Sequence, residues 1–421
     1  MDKFSIEGPC RIKGRVKISG SKNSSLPILA ATLLFDQPVT IRNLPKVKDI
    51  DTMLGLLKSL GSKIILSKDK RVAKIHNKNK IKTFASYSLV KTMRGSILVL
   101  GPLIAKYHKS KISLPGGCLI GARPINYHLD ALKKLGMNYI LKDGYIFAKS
   151  KGKLTGKMIK FPKISVGATE NSIIAACLAK GTTILRNCAV EPEIKDLTNF
   201  LNLAGAKITW HGRKCKIIGV EALNKTEYSV MPDRIEAGTF CVAATIAKGN
   251  LEIIDFDAKI IKTELDLLKR FGAKIKIKDK KIFIKGPENI KLIENIKTKE
   301  YPGVSTDMQS QLMVIMCLAK GKGSITENIF ENRFMHVAEL RRLGAKININ
   351  RNQAAIEGNT KFIAAELMSS DLRASVSLVL AAMVSKGKST INRIYHLDRG
   401  YEGIENKLKK LGVRIRRQKN G

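Results

Sequence analysis

Six glycines constrain this chain more than any other feature. Gly61, Gly136, Gly205, Gly272, Gly344 and Gly412 each follow a helix pattern, precede a strand pattern, and recur 67 to 75 residues apart. Leu203-Ala-Gly-Ala-Lys-Ile208, Arg270-Phe-Gly-Ala-Lys-Ile275 and Arg342-Leu-Gly-Ala-Lys-Ile347 are clear copies. Glycine at that point reads as a helix C-cap, and the β-formers after it begin a strand. A second element recurs in register: an apolar helix, usually closed by Lys-Gly, then a strand. Ile174 to Ile184, Val242 to Gly249, Ile315 to Gly321 and Leu380 to Gly387 are its plain copies, with fainter ones at Leu29 to Leu34 and Leu98 to Lys106. These helices are apolar or small on nearly every side and are expected to be buried. The helices before the capping glycines, such as Thr263 to Phe271, are amphipathic and are expected to coat the outside.

Each repeat therefore holds two helices and several strands, a βαβαββ-type unit. Three units can close around three buried helices, and six then make two domains, which suits 421 residues. The expected fold is α/β, with two inside-out, barrel-like domains built around buried parallel helices. The expected boundaries are 1–21 plus 232–421 for a discontinuous domain and 22–231 for an inserted one.

The starts of the buried helices are unusually polar. They read Lys22-Asn23, Lys91 to Arg94, Lys163 to Glu170, Asp233 to Glu236, Thr306 to Gln309 and Asp371 to Arg373. Capping accounts for Ser, Thr and Asp there. It does not account for Lys and Arg, whose charge opposes the positive end of the helix dipole. Cations beside free backbone N–H groups make anion sites. With parallel helices, three such ends converge in each domain, and two domains facing each other are expected to enclose a cationic cleft.

One loop adds chemistry. Ser113-Leu-Pro-Gly-Gly-Cys-Leu-Ile-Gly-Ala-Arg-Pro124 places Cys118 among Gly116, Gly117 and Gly121, five residues before Arg123. A thiol on a glycine loop beside a cation suits a lid that brings a reactive group to an anionic substrate. The other cysteines lack paired spacing, and Cys177, Cys241 and Cys317 lie in apolar helical runs. They read as small buried hydrophobes in a reducing, cytoplasmic setting. No His, Cys or carboxylate cluster has metal-site spacing, so neither a metal nor another cofactor is expected. His336 and His396 read as hydrogen-bonding residues. The start has no apolar signal segment, and the longest apolar runs are too short to cross a bilayer, so no membrane partner is expected. The formal net charge of +41 raises nucleic acid as a partner. The excess is mostly lysine scattered through strands and turns, which reads as compositional bias, so none is expected. The field still attracts small anions.

Gly20-Ser-Lys-Asn-Ser-Ser-Leu-Pro27, Leu114 to Pro124, Thr306-Asp-Met-Gln309, Phe330-Glu-Asn-Arg-Phe334, Asp371-Leu-Arg-Ala374 and His396 to Tyr401 carry a family resemblance. Over almost its whole length the chain resembles the enolpyruvyl transferases, and among them the UDP-N-acetylglucosamine 1-carboxyvinyltransferase family. That family has the six-unit, two-domain architecture, with chain crossings that fall near Ser21 and Pro232 here. The resemblance implies transfer of the enolpyruvyl group of phosphoenolpyruvate to the 3-hydroxyl of UDP-N-acetylglucosamine, by addition and then elimination of phosphate. The oligomeric state stays open.

Matching positions imply roles. Cys118 is the acid that protonates the methylene carbon of phosphoenolpyruvate, and a thiol can also add to it covalently. Asp307 takes or orients the sugar hydroxyl proton. Lys22, Arg123 and Arg399 hold phosphate, and Arg373 with Arg399 holds the carboxylate. Asn23 and Ile329 contact the sugar nucleotide. Arg94 and Lys163, Ile164, Ser165 and Val166 match its diphosphate side, while Arg123, Pro124, Ile125, Asn126 and Tyr127 match the uridine pocket. The sister transferase acting on shikimate 3-phosphate shares the fold, but the cysteine-bearing loop argues against it. The intact charged positions argue against an inactive relative.

Overall fold

The computed structural model describes residues 2–77, 81–114 and 125–419. They form six four-stranded sheets. The third repeat shows the plan in one continuous run. Strand Met158–Lys160 leads into helix Val166–Ala176, strand Thr182–Arg186, helix Pro192–Leu203 and the hairpin Lys207–His211 with Lys214–Ile218. The first two strands pair in parallel and the rest antiparallel. A parallel pair needs a crossover, and the apolar helix supplies it. The expected βαβαββ unit is thus present, but three copies borrow a strand from elsewhere in the chain. Thr226–Ser229 pairs with Val39–Arg42 to complete the first. Lys13–Lys17 pairs with Asn250–Ile254 to open the fourth. Lys3–Gly8 lies between Gly387–Asn392 and Arg414–Gln418 and completes the sixth.

The six repeated glycines all adopt the left-handed conformation, with φ between 96° and 111°. An L-residue there costs about 1–2 kcal/mol, which explains why the same residue recurs at the same point. The two helix types differ in burial as their patterns dictate. Every residue of Arg234–Ile246 is buried. The outer helix Lys262–Arg270 buries Leu265, Leu267 and Leu268 and exposes Lys262, Asp266, Lys269 and Arg270.

The described residues divide into an inserted unit, 20–114 with 125–231, and a split unit, 2–19 with 232–419. Each has its own core. In the split unit the inner helices Arg234–Ile246, Gln309–Leu318 and Leu372–Val384 pack on one another. In the inserted unit Lys22–Ala31 and Leu100–Tyr107 each pack on Val166–Ala176. The chain passages are pinned within each unit. In the inserted unit the Ser21 backbone N–H donates to the Met231 carbonyl at 2.8 Å. In the split unit Ser19 donates its N–H to Glu236 Oε2 at 2.9 Å and accepts from the Asp233 N–H at 2.8 Å. Lys407 Nζ bonds both the Ser19 hydroxyl and Glu236.

Among the described residues no helix is long and apolar enough to cross a membrane. Cys177, Cys241 and Cys317 are buried, and burial pushes the thiols of Cys177 and Cys317 up to about 12, so they stay protonated.

Candidate active site

Asp307 organises the polar end of the split unit. Ser305 starts the 3-10 turn Thr306–Met308 by accepting from the Asp307 N–H at 3.2 Å, and the turn leads into Gln309–Leu318. Asp307 Oδ1 accepts from Arg333 Nη2 at 2.7 Å, and Oδ2 accepts from Arg373 Nη2 at 3.0 Å. Both arginines are buried, at 6% and 5% exposure. Burial opposes the charge of Arg373, but Asp307, Tyr401 and Asp233 together outweigh burial and raise its pKa. Removing one partner from such a buried pair costs about 3–5 kcal/mol, because the other charge is left uncompensated.

Helix geometry fixes Arg373. Asp371 caps Leu372–Val384, its Oδ1 accepting from the N–H groups of Arg373 at 2.9 Å and Ala374 at 3.1 Å. The Arg373 guanidinium lies 5.6 Å from the Tyr401 ring centre. The Tyr401 hydroxyl is 2.9 Å from Thr239 Oγ1, and Gln311 Nε2 donates to the Asp307 carbonyl at 3.0 Å and to Thr239 at 3.3 Å. Polar side chains of two inner helices are thereby tied to the site. Ile329 is held by the buried carboxylate of Glu327, which accepts from the Ile329 N–H at 2.8 Å and from Thr306 Oγ1 at 2.9 Å. Arg399 ends the turn Ile394–Arg399. A Cβ on Gly400 would come within 2.6 Å of Leu372 Cδ2, so a larger residue here must displace the Leu372 side chain at the start of the Arg373 helix. His396 is kept below its ordinary pKa by burial and then by Arg399. Arg417 steadies the turn with two bonds to Asp398, at 2.6 and 3.0 Å.

In the inserted unit, Ser21 caps Lys22–Ala31 by accepting from the Ser24 N–H at 3.2 Å. Lys22 Nζ lies 3.5 Å from Asp49 Oδ2, an ion pair reaching the first turn of the outer helix Lys48–Leu60. Asn23 is half-buried on the same turn. Ser24 donates to buried Asp196, which also accepts from the Tyr228 hydroxyl at 2.5 Å and the Met231 N–H at 3.2 Å. Arg94 opens the 3-10 turn Arg94–Val99. Ser165 caps Val166–Ala176 by accepting from the Ala168 N–H at 3.3 Å, with Lys163 exposed and Ile164 packed on the core. Ile125 precedes the outer helix Asn126–Lys134, whose Asn126 is exposed. Tyr127, Lys134, Lys160 and Phe161 line a groove of about 650 Å³.

Cys118, Arg123 and Pro124 lie outside the described residues. Within the split unit the structure brings Asp307 and Arg373 together and ties Ile329 to them through Glu327 and Thr306. Within the inserted unit it joins Lys22 and Asn23 on one turn and Lys163, Ile164, Ser165 and Val166 at another helix start. The cations at the helix starts are not a bare positive rim, since Lys22 pairs with Asp49 and Arg373 with Asp307. Sequence reasoning gave no role to Arg333, Glu327 or Asp49. Arg333 had a signal, because it stands in Phe330-Glu-Asn-Arg-Phe334. Asp49 had none, because its partner is 27 positions away on another helix.

A model of the EPSP synthase (3-phosphoshikimate 1-carboxyvinyltransferase) family matches residues 6–408. The UDP-N-acetylglucosamine 1-carboxyvinyltransferase of Pelagibacter ubique is 60% identical over 418 residues, covering 99% of this chain and all of that protein. That of Pseudoalteromonas atlantica is 48% identical over the full length of both. Among solved structures, the enolpyruvyl transferase NikO from Streptomyces tendae superposes with a TM-score of 0.90 at 24% identity, covering 100% of this chain and 99% of NikO. An EPSP synthase from Acinetobacter baumannii reaches 0.79 at 19% identity, over the full length of both chains. These two establish the fold. The chain belongs to the enolpyruvyl (carboxyvinyl) transferase family, and within it to the UDP-N-acetylglucosamine 1-carboxyvinyltransferases.

Proposed function

We propose that the chain transfers the enolpyruvyl group of phosphoenolpyruvate to the 3-hydroxyl of UDP-N-acetylglucosamine and releases phosphate, the first committed step of peptidoglycan precursor synthesis. The observation that carries this reading is Asp307 held beside Arg373, a proton acceptor next to a carboxylate receptor. In the first half-reaction Asp307 accepts the hydroxyl proton, the sugar oxygen bonds to C2 of phosphoenolpyruvate, and Cys118 supplies a proton to C3. The tetrahedral adduct then loses phosphate from C2, and the phosphate takes up the proton held by Asp307. The Cys118 thiolate takes a proton from the new methyl group, which restores the double bond. Lys22, Arg123 and Arg399 neutralise the departing phosphate, and Arg373 with Arg399 holds the carboxylate by charge-assisted bonds. Asn23, Arg94, Ile329, the Lys163 to Val166 turn and the Arg123 to Tyr127 segment orient the sugar nucleotide. Both substrates are anionic metabolites of the cell interior, which supports a cytoplasmic site of action. The surplus positive charge draws them in.

Shikimate 3-phosphate is the second reading, favoured by one observation: the matching family model carries that activity in its description. Identification of the product separates the two. The proposed function predicts an enolpyruvyl ether of UDP-N-acetylglucosamine, and an unchanged nucleotide sugar contradicts it. The reading also predicts a single covalent adduct of the epoxide antibiotic fosfomycin on Cys118, detected by intact mass and lost in Cys118→Ser. An adduct that persists in that variant contradicts the reactive-thiol role.

A further inference from the structure

Asp307 and Arg373 are bonded to each other, although the proposed function assigns both to substrate. The Arg373 N–H that reaches Asp307 Oδ2 at 3.0 Å cannot at the same time serve a substrate carboxylate. An Oδ2 engaged by a guanidinium is also a poor acceptor for a hydroxyl proton. Arg333 is placed differently. It holds the other oxygen, Oδ1, at 2.7 Å, and its guanidinium lies 5.6 Å from the ring centre of Phe330, in the segment anchored by Glu327. Arg373 instead starts the helix that Gly400, next to Arg399, packs against. Two guanidinium groups face this one carboxylate, so a second carboxylate can take Arg373 while Arg333 still holds Asp307. Asp371 at the helix cap and Asp233 nearby add negative charge around Arg373, and Tyr401 supplies its ring.

We infer that the carboxylate of phosphoenolpyruvate exchanges with Asp307 for Arg373, while Arg333 on Oδ1 keeps Asp307 in place as its positioning residue. Binding of the three-carbon substrate and release of Oδ2 as proton acceptor are then one event. The base is engaged until the group that is to be attacked has arrived. This inference rests on the proposed function and goes beyond it, because it couples two roles that were assigned separately.

The test is a double-mutant cycle on phosphoenolpyruvate binding. Calorimetry is done with UDP-N-acetylglucosamine present, on the full chain carrying Cys118→Ser so that no covalent adduct forms. Asp307→Asn removes the competitor for Arg373 and is expected to tighten phosphoenolpyruvate binding about tenfold, the size typical of coupling between contacting charges. In an Arg373→Met background the same substitution is expected to change the dissociation constant less than about twofold. Equal tightening in both backgrounds reduces the effect to loss of a negative charge and overturns the exchange. So does an unchanged or weaker affinity in Asp307→Asn alone. Asp307→Ser repeats the cycle should the asparagine variant not fold. Arg333→Lys, assayed by turnover, is expected to lower kcat with the KM for phosphoenolpyruvate held within about twofold. A rise in KM that matches the fall in kcat contradicts the positioning role. If the parent protein makes no product from UDP-N-acetylglucosamine, the proposed function falls. If it does and the cycle shows no coupling, only the exchange falls.

Discussion

The two units place polar side chains among their inner helices, and they use them differently. In the inserted unit Asn171, on Val166–Ala176, donates to the Ile97 carbonyl at 3.1 Å, accepts from the Gly101 N–H at 2.7 Å and lies 3.1 Å from His128 Nδ1. A Cβ on Gly101 would sit 2.3 Å from Asn171 Oδ1, so the contact depends on glycine. Beside it Glu170 is fully buried. Burial first, then Glu193 and Glu191, hold its pKa well above the ordinary carboxyl range and keep it neutral. The groups of this layer are buried, and it serves packing. In the split unit Gln311, Thr239 and Tyr401 connect onward to Asp307 and Arg373, and the Asp307 side chain is 24% exposed. Buried polar atoms need partners in both units. The split-unit network ends on charges that a solute can reach, whereas the partners of Asn171 and Glu170 named above are buried.

That contrast can be broken by mutation. The largest effect is expected at Asp307: Asp307→Asn lowers kcat about 10³-fold, within the range of a lost general base. Steady-state turnover measures it, and a loss below tenfold removes the base role. Asn171→Ala in the inserted unit is expected to cost about 2 kcal/mol of stability, the penalty for orphaning buried hydrogen-bonding groups. Its kcat is expected to stay within about twofold of the parent at a temperature where the variant is folded. Urea unfolding and turnover are read on the same sample. A kcat loss like that of Asp307→Asn would erase the distinction between the two layers.

The smallest effects are pH responses of opposite sign. In the split unit burial pushes the pKa of His336 down to about 4, with Asp371 opposing and Arg333 assisting. The unfolded chain takes up that proton near 6.5, so this contribution to stability is lost as pH falls from 6.5 toward 4. His336→Gln is expected to flatten the acid limb of the stability profile. In the inserted unit Glu170 behaves in reverse. The unfolded carboxyl ionises above about 4.5 while the folded one stays protonated, so its contribution is full below that pH and is lost as pH rises. Glu170→Gln is expected to stabilise the inserted unit at pH 7 and to do little at pH 4. Hydrogen exchange, read separately over 20–114 with 125–231 and over 2–19 with 232–419, resolves the two. Matching signs in both units would contradict the burial argument.

The repeat was legible because capping glycines and Lys-Gly helix ends are local signals that recur. The opening strands were not legible. Phe84–Ala85, Met158–Lys160, Asn295–Lys297 and Glu366–Met368 are two or three residues long, too short to show alternation. The strands that complete the first and sixth repeats, Thr226–Ser229 and Lys3–Gly8, come from distant chain that no local pattern links to them. Asp307 and Arg373 stood out as polar residues at apolar helix starts. Their contact did not, since 66 residues separate them and only packing of the inner helices brings them to 3.0 Å. The pairing of Lys22 with Asp49 was hidden for the same reason. Reading the helix starts one by one therefore named Asp307 and Arg373 but not their pairing, and gave no role to Asp49.

The most direct test of the account is phosphate release from phosphoenolpyruvate, with UDP-N-acetylglucosamine and shikimate 3-phosphate supplied in parallel. The account predicts release with the nucleotide sugar alone, and its near-complete loss in Asp307→Asn. Release with shikimate 3-phosphate, or with neither acceptor, would contradict it.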